Sequence, residues 1–446
     1  MHNSVLWVNF MFTRMEKYFP PAVVYKVSER ASYLYSNAFF RKELYMDISQ
    51  KFKEMEASSV RKLSIYADEA KRDGKKVYHL NIGQPDLATP EPYFQKIRSF
   101  KEPSTEYMPS LGIPGLIDSI QAYYTDLGIH YNKEQIAVTT GGTEALLFTF
   151  LAIANEGDEI LLPEPFYSNY TTFFTISGAI CIPVTTYAEN GFHFTEQDLI
   201  CKLTKRAKAI LISNPGNPTG AVLSMDEIKM VAKIAKEYDL YIIADEVYRE
   251  FVFDGREIGS FGFLPDIEDR LIIIDSVSKR FNACGARIGA LLTKNKDLFP
   301  VITKLCQGRL SCSTIEQYGA IGLYEADKHY ITDARDQYQE RRDIVYRLLK
   351  QVPGVVCRKP EGAFYMIAKL PIDDVDDFLT WLLTSFDIDG ETVMAAPAEG
   401  FYKTRDLGKN ELRIAYVLEK EPLTKAMRIL SEGLKKYMEL NNINLV

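Results

Sequence analysis

The feature that most constrains this chain is a series of short, almost wholly apolar runs through its middle: "EQIAVTT", "DEILLPE", "AKAILIS", "LYIIADE", "RLIIIDS" and "RIGALLT". Most are followed by a stretch with helical period, such as "TEALLFTFLAIA" or "SMDEIKMVAKIAKEY". Strands that are apolar at nearly every position are buried on both faces, and strands separated by helices pair mostly in parallel. The pattern predicts an α/β fold, with Ser224 capping the helix that follows it.

After about Tyr318 the texture changes. A long charged helical run, "EADKHYITDARDQYQERRDIVYRLLKQV", precedes strand candidates in "GAFYMIAKL" and "ELRIAYVL" and a closing helix. The expected division is an amino-terminal extension over 1–45, an amino-terminal part of a small domain over 46–75, a large domain over 76–318 and a small α+β domain over 319–446. The first 45 residues lack the basic start and compact apolar centre of a signal peptide, and Glu16, Glu29 and Glu43 count against a mitochondrial presequence. They read as an upstream extension, with Met46 a candidate start.

Composition narrows the partners. A net charge of −7 without a basic stripe argues against general nucleic-acid binding. No apolar run approaches the roughly 18 residues of a membrane span. The six cysteines (Cys181, Cys201, Cys284, Cys306, Cys312, Cys357) show no C-x-x-C spacing and no nearby histidine. They read as reduced thiols of a cytoplasmic protein, with neither a disulfide framework nor a metal site.

Chemistry gathers where the strands end, which is where open α/β sheets bind ligands. After "AVTT" come Gly141, Gly142, Thr143 and Glu144, opening a helix whose amides favour an anion. After "AILIS", two prolines and two glycines fix an unusual backbone that holds Asn217 as a rigid amide. Asp245 ends a buried strand and needs a cation or a donor there. After "RLIIIDS", Ser276, Ser278 and Arg287 form a set suited to a phosphate dianion. Lys279 stands among them as a candidate Schiff-base nucleophile. Alone, Lys279 would read as a surface lysine; with the other strand ends it describes a site for an aromatic aldehyde carrying a phosphate, pyridoxal 5′-phosphate.

The motifs "SNPGNPTG", "ADEVY" and "SVSKRFNACGARIG", in that order, resemble those of the fold-type I, class I/II aminotransferases. The resemblance runs from about Met46 to the carboxyl terminus, and "VYHLNIGQPD", "GAFYM" and "APAEGFY" bring it nearest to bacterial aspartate aminotransferase-like members. It implies a three-layer fold with a large domain around a mostly parallel seven-stranded sheet and a smaller α+β domain. It implies that Lys279 carries the cofactor covalently, Asp245 pairs with its ring nitrogen, and Asn217 and Tyr248 bond its ring hydroxyl. Gly142, Thr143, Ser276, Ser278 and Arg287 would hold the phosphate, and Tyr167 would stack on the ring. Arg413 would bind the substrate α-carboxylate, with Asn217 and the Gly83 segment beside it. Tyr107 matches a tyrosine sent to the neighbouring subunit's phosphate, which implies a homodimer.

The implied reaction is ping-pong transfer of an amino group between an L-amino acid and a 2-oxo acid, with aspartate and 2-oxoglutarate the expected pair and Lys279 the general base. One departure stands out: a common prokaryotic aspartate subgroup has lysine at the Thr143 position, where it meets the second carboxylate. Arg309, in "CQGRLSCST", falls in a segment that the resemblance places near the partner's active site, and is the expected replacement. The competing readings are another amino acid (alanine or an aromatic one), a lyase on the same scaffold, and a non-catalytic regulator. The last is disfavoured because 45 poorly patterned residues are too few for a DNA-binding domain.

Overall fold

The computed structural model describes residues 48–53, 55 and 58–443. The expected extension over 1–45 and the candidate start at Met46 lie outside the described residues. The chain divides into two units, 1–55 and 56–446. Of the first, a short helix, Gln50–Lys53, is described.

Strands of the second unit are, in chain order, β1 (Lys76–His79), β2 (Ile136–Thr139), β3 (Glu159–Glu164), β4 (Ile180–Thr185), β5 (Ala207–Ser213), β6 (Tyr241–Asp245) and β7 (Leu271–Ser276). They continue with β8 (Gly289–Leu292), β9 (Val356–Cys357), β10 (Tyr365–Lys369), β11 (Glu391–Met394), β12 (Ala396–Pro397) and β13 (Glu411–Ala415).

Seven strands form one sheet in the order β2-β8-β7-β6-β5-β3-β4. Only β8 runs against its neighbours; the pairs from β7 through to β4 are parallel. Side chains alternate between two cores. Leu271 and Ile273 join Ile210, Ile212 and Ile242 on one face. Ile272 and Ile274 join Ile160, Leu211 and Ile243 on the other. Both faces are covered: helices Pro114–Asp126 and Met225–Glu237 supply Leu116, Ile120, Ile228 and Val231 to the first. Helices Gly141–Ile153, Tyr170–Ser177 and Leu298–Arg309 supply Leu146, Phe150, Phe173 and Ile302 to the second. Each fully buried Ile or Leu contributes about 1.5–3 kcal/mol, which is why the strand runs contain so few polar residues. The result is the three-layer α/β arrangement.

Ser224 caps its helix as expected. Its hydroxyl accepts from the Glu227 amide at 3.2 Å, and Glu227 Oε2 accepts from the Ser224 amide at 2.8 Å. The sheet also contains a strand not expected from the sequence: β4 lies at the edge, half-exposed, and includes Pro183, which an edge tolerates.

A smaller antiparallel sheet, β12-β13-β10-β9, packs with helices His329–Leu349, Val375–Ser385 and Lys420–Leu440. Leu63, Ala67 and Tyr78 belong to the same core, and β1 pairs in parallel with β11. A boundary at residue 75 therefore falls too early for the pairing, because β1 and Leu80 go with the carboxyl-terminal elements. Their side chains find apolar cover there.

Candidate active site

The carboxyl ends of β2, β5, β6 and β7 open on one edge of the large sheet. Just beyond β2, Gly141 starts its helix at φ 71°, and a β-carbon there would stand 2.3 Å from Arg287 Nη2. Glycine is needed for both reasons, and its absent side chain lets the guanidinium lie over the helix start. Arg287 is itself left-handed, at φ 51°. Its Nη1 donates to the Cys284 carbonyl (3.0 Å) and lies 3.4 Å from Ser278 Oγ. Ser276 Oγ accepts from the Ser278 amide at 3.1 Å and lies 2.9 Å from Ser278 Oγ. Two hydroxyls, a guanidinium without a carboxylate partner among the described residues, and helix-start amides thus converge.

Lys279 directly follows Ser278 in the one-turn helix Val277–Arg280, and its Nζ donates to the Gly83 carbonyl at 2.7 Å. Asp245, at the end of β6, is buried and has no cationic partner among the described residues. The Tyr170 hydroxyl donates to its Oδ2 at 2.7 Å, and the Val247 amide lies 3.5 Å from Oδ1. Burial outweighs these donors and pushes its pKa up to about 6. Tyr248 meets Tyr365 hydroxyl to hydroxyl at 2.9 Å. The Tyr167 hydroxyl accepts from Asn169 Nδ2 at 2.7 Å, and burial raises its pKa to about 12.

From the small sheet, β13 brings Arg413, only 2% exposed. Its Nη1 donates to Asn217 Oδ1 at 3.1 Å and its Nη2 to the Asn81 carbonyl, while Nε has no partner. The guanidinium lies 4.5 Å from the Tyr365 ring centre and 4.9 Å from that of Phe401. Burial pulls its pKa down, against the nearby tyrosines.

Gly83, Gly142, Thr143, Tyr167, Asn217, Asp245, Tyr248, Ser276, Ser278, Lys279, Arg287 and Arg413 all line one cavity of about 300 Å³. Two other expected residues do not. Tyr107 is 81% exposed and outside it. Arg309 is engaged elsewhere: it pairs with Glu144 at 3.1 Å and donates to the carbonyls of Ser110 (2.9 Å) and Val138 (3.3 Å). These contacts hold Arg309 outside its own chain's cavity; the expectation places it toward the partner's active site. Sequence reasoning missed Tyr170, Tyr365 and Asn81. Tyr170 had a signal, three residues past Tyr167 in "PEPFYSNY"; Tyr365 and Asn81 sit within motifs quoted for other reasons.

The family model for aminotransferase class I and II matches residues 75–430. The chain belongs to this family. The aspartate aminotransferase of Bacillus subtilis (strain 168) is 30% identical over 405 residues, which span 88% of this chain and 99% of that protein. An aspartate aminotransferase from Thermus thermophilus, solved with maleate, superposes with a TM-score of 0.79 at 26% identity, covering 87% of this chain and all of that one. An alanine aminotransferase from Pyrococcus furiosus gives 0.80 at 29% identity over the same shares.

A class I and II aminotransferase uses pyridoxal phosphate, and the cavity's charges suit that group. Among the described residues, Asp245 is a buried anion lacking a cation, and Arg287 is a cation lacking an anion at a helix start. No described helix of this aminotransferase is long and apolar enough to cross a membrane.

Proposed function

We propose that this aminotransferase transfers the amino group of aspartate to 2-oxoglutarate, as a homodimer in the cytoplasm. The observation that carries the residue roles is the set of charges in one cavity that find no match among the described residues: Asp245 without a cation, Arg413 with a free Nε, and Arg287 without a carboxylate. Asp245 would face the cofactor's ring nitrogen. Ser276, Ser278, Arg287 and the amides of Gly142 and Thr143 would hold its phosphate. Tyr248 and Asn217 would meet its ring hydroxyl, and Tyr167 would lie against its ring. Bound there, pyridoxal phosphate supplies an electron-poor ring that stabilises negative charge at the substrate α-carbon.

Arg413 orients the substrate by its α-carboxylate, with Asn217 and the Asn81–Gly83 segment fixing the guanidinium. Lys279 Nζ is the anchoring amine; once free, it accepts the substrate's α-proton and returns it. Its contact with the Gly83 carbonyl keeps it beside the segment that flanks the α-carboxylate. Tyr107, exposed on its own chain, would complete the partner's phosphate site. All six cysteines are free, in keeping with a reducing compartment.

Relatives named for aspartate favour a dicarboxylic substrate, while the Pyrococcus alanine enzyme is the counterweight. A panel of amino acids and 2-oxo acids on the purified holoenzyme tests the reading. Aspartate alone should convert the bound cofactor to its amine form and release oxaloacetate, with alanine at least tenfold slower. Preference for alanine would overturn the substrate assignment, and product without cofactor conversion would point to a lyase. A monomer by sedimentation would overturn the dimer.

A further inference from the structure

The cavity wall holds a cation that none of these roles uses. Arg61 ends a one-turn helix, Ser59–Arg61, and lines the cavity. The turn is fixed on several sides. A side chain at Gly400 would meet Ser59 Cβ at 2.5 Å, so the backbone of Glu399–Phe401 lies directly against it. The next residue, Lys62, is tied to Asp376 at 2.8 Å. Between them, the Val60 carbonyl accepts from Asn81 Nδ2 at 2.9 Å, and the Asn81 carbonyl accepts from Arg413 Nη2.

Arg61 is therefore one residue from a carbonyl linked through a single asparagine to the α-carboxylate arginine. Arg61 is solvent-exposed at the cavity wall, and among the described residues its guanidinium has no hydrogen bond or ion pair. The cavity's other cations have work: Arg287 for the phosphate, Lys279 for the amine chemistry, Arg413 for the α-carboxylate. A dicarboxylic substrate brings one further negative group, and a guanidinium fork is suited to a carboxylate.

We propose that Arg61 binds the side-chain carboxylate of the substrate, that of aspartate in one half-reaction and of 2-oxoglutarate in the other. This rests on the dicarboxylate reading above and supplies, within this chain, the cation that Thr143 does not provide.

The test is kcat/KM of the Arg61→Gln and Arg61→Lys holoenzymes for aspartate against alanine, and for 2-oxoglutarate against pyruvate. Cofactor absorbance serves as the control for folding. Losing a charged hydrogen-bonded contact should lower each dicarboxylate-to-monocarboxylate ratio by about 10- to 100-fold in the glutamine variant, mainly through KM. Lysine should restore part of the loss. Maleate should inhibit the glutamine variant at least tenfold more weakly than the wild type. Unchanged ratios, or equal losses on all four substrates, overturn the proposal. If the wild type does not prefer aspartate but Arg61→Gln still weakens 2-oxoglutarate relative to pyruvate, the aspartate reading fails and the role of Arg61 stands.

Discussion

Replacing Asp245 by asparagine should stabilise the cofactor-free protein and destroy its activity. The carboxyl group is buried, and burial raises its pKa from 3.8 to about 6. That difference of about two units makes holding the ionised form cost about 3 kcal/mol. The sign follows from proton binding. Between pH 4 and 6 the unfolded chain has lost this proton while the folded chain still binds it, so this group's contribution to stability falls as pH rises. Above pH 6 the full penalty is present. Asparagine removes the charge but keeps an oxygen for the Tyr170 hydroxyl. Thermal unfolding of the cofactor-free variant at pH 8 should give a Tm roughly 3 °C above wild type for a chain of this size, and about half that gain at pH 5. With pyridoxal phosphate added the order should reverse, because a ring cation offsets the penalty only when the carboxylate is present. Transamination should fall by roughly 10²–10³-fold, the loss seen when a fixed electrostatic partner is removed. A cofactor-free variant no more stable than wild type at pH 8, or one that keeps wild-type activity, would refute this reasoning.

Lys279→Ala should lower turnover by at least about 10²–10⁴-fold, and gel filtration should strip the visible absorbance that wild type retains. Arg413→Lys should raise KM for amino and oxo acids by about 10- to 100-fold in steady-state assays while cofactor content stays constant, since a point charge replaces a fork held by Asn217 and Asn81. Gly141→Ala should weaken pyridoxal phosphate binding by about tenfold or more in a fluorescence titration, because its β-carbon would displace Arg287 and its φ of 71° is strained for alanine; unaltered affinity would show that Arg287 does not hold the phosphate.

The central sheet was legible because each residue of a doubly covered strand must be apolar, so "RLIIIDS" and "AKAILIS" carry their burial in their letters. The edge strand β4 was not, since Pro183 interrupts its run ICIPVT and a proline counts against reading a run as a strand. The strand-end motifs were legible for the same reason as the sheet: polar residues at the mouth of an apolar strand have few structural uses. Arg61 could not be read this way. It sits in a turn between Val60 and Lys62 in "SSVRKLS", and what distinguishes it from Lys62 is which of them is paired, a matter of tertiary packing. The ion pair of Arg309 with Glu144 was equally hidden, because it joins residues 165 apart in sequence.

The buried charges of the large sheet separate into two kinds, and the separation explains why neighbouring acids have different tasks. Glu246 follows Asp245 directly and is equally buried, yet it is met by Arg249 at 2.6 Å, the Ser260 hydroxyl at 2.8 Å and the Phe261 amide at 3.1 Å. Asp275, beside Ser276, is likewise buried, but Arg280 grips both its oxygens at 2.7 and 2.9 Å. Burial alone would raise the Asp275 pKa; Arg280 and Arg249 outweigh it and hold it below the ordinary value. Glu164 takes neutral donors instead, the Thr185 hydroxyl and the amides of Lys403 and Thr404. Each of these acids has its compensation inside the fold. Asp245 has a single hydroxyl and a long amide contact, so its pKa moves the opposite way from that of Asp275. Arg413 and Arg280 divide along the same line: both are buried, but only Arg280 faces a carboxylate. A buried charge left uncompensated costs several kcal/mol, so Asp245 and Arg413 together hold the cavity in readiness for a ligand with a cation at one end and a carboxylate at the other. On the proposed reading, that requirement, more than any one motif, ties Asp245 and Arg413 to the cofactor and substrate and leaves Glu246, Asp275 and Arg280 to the fold.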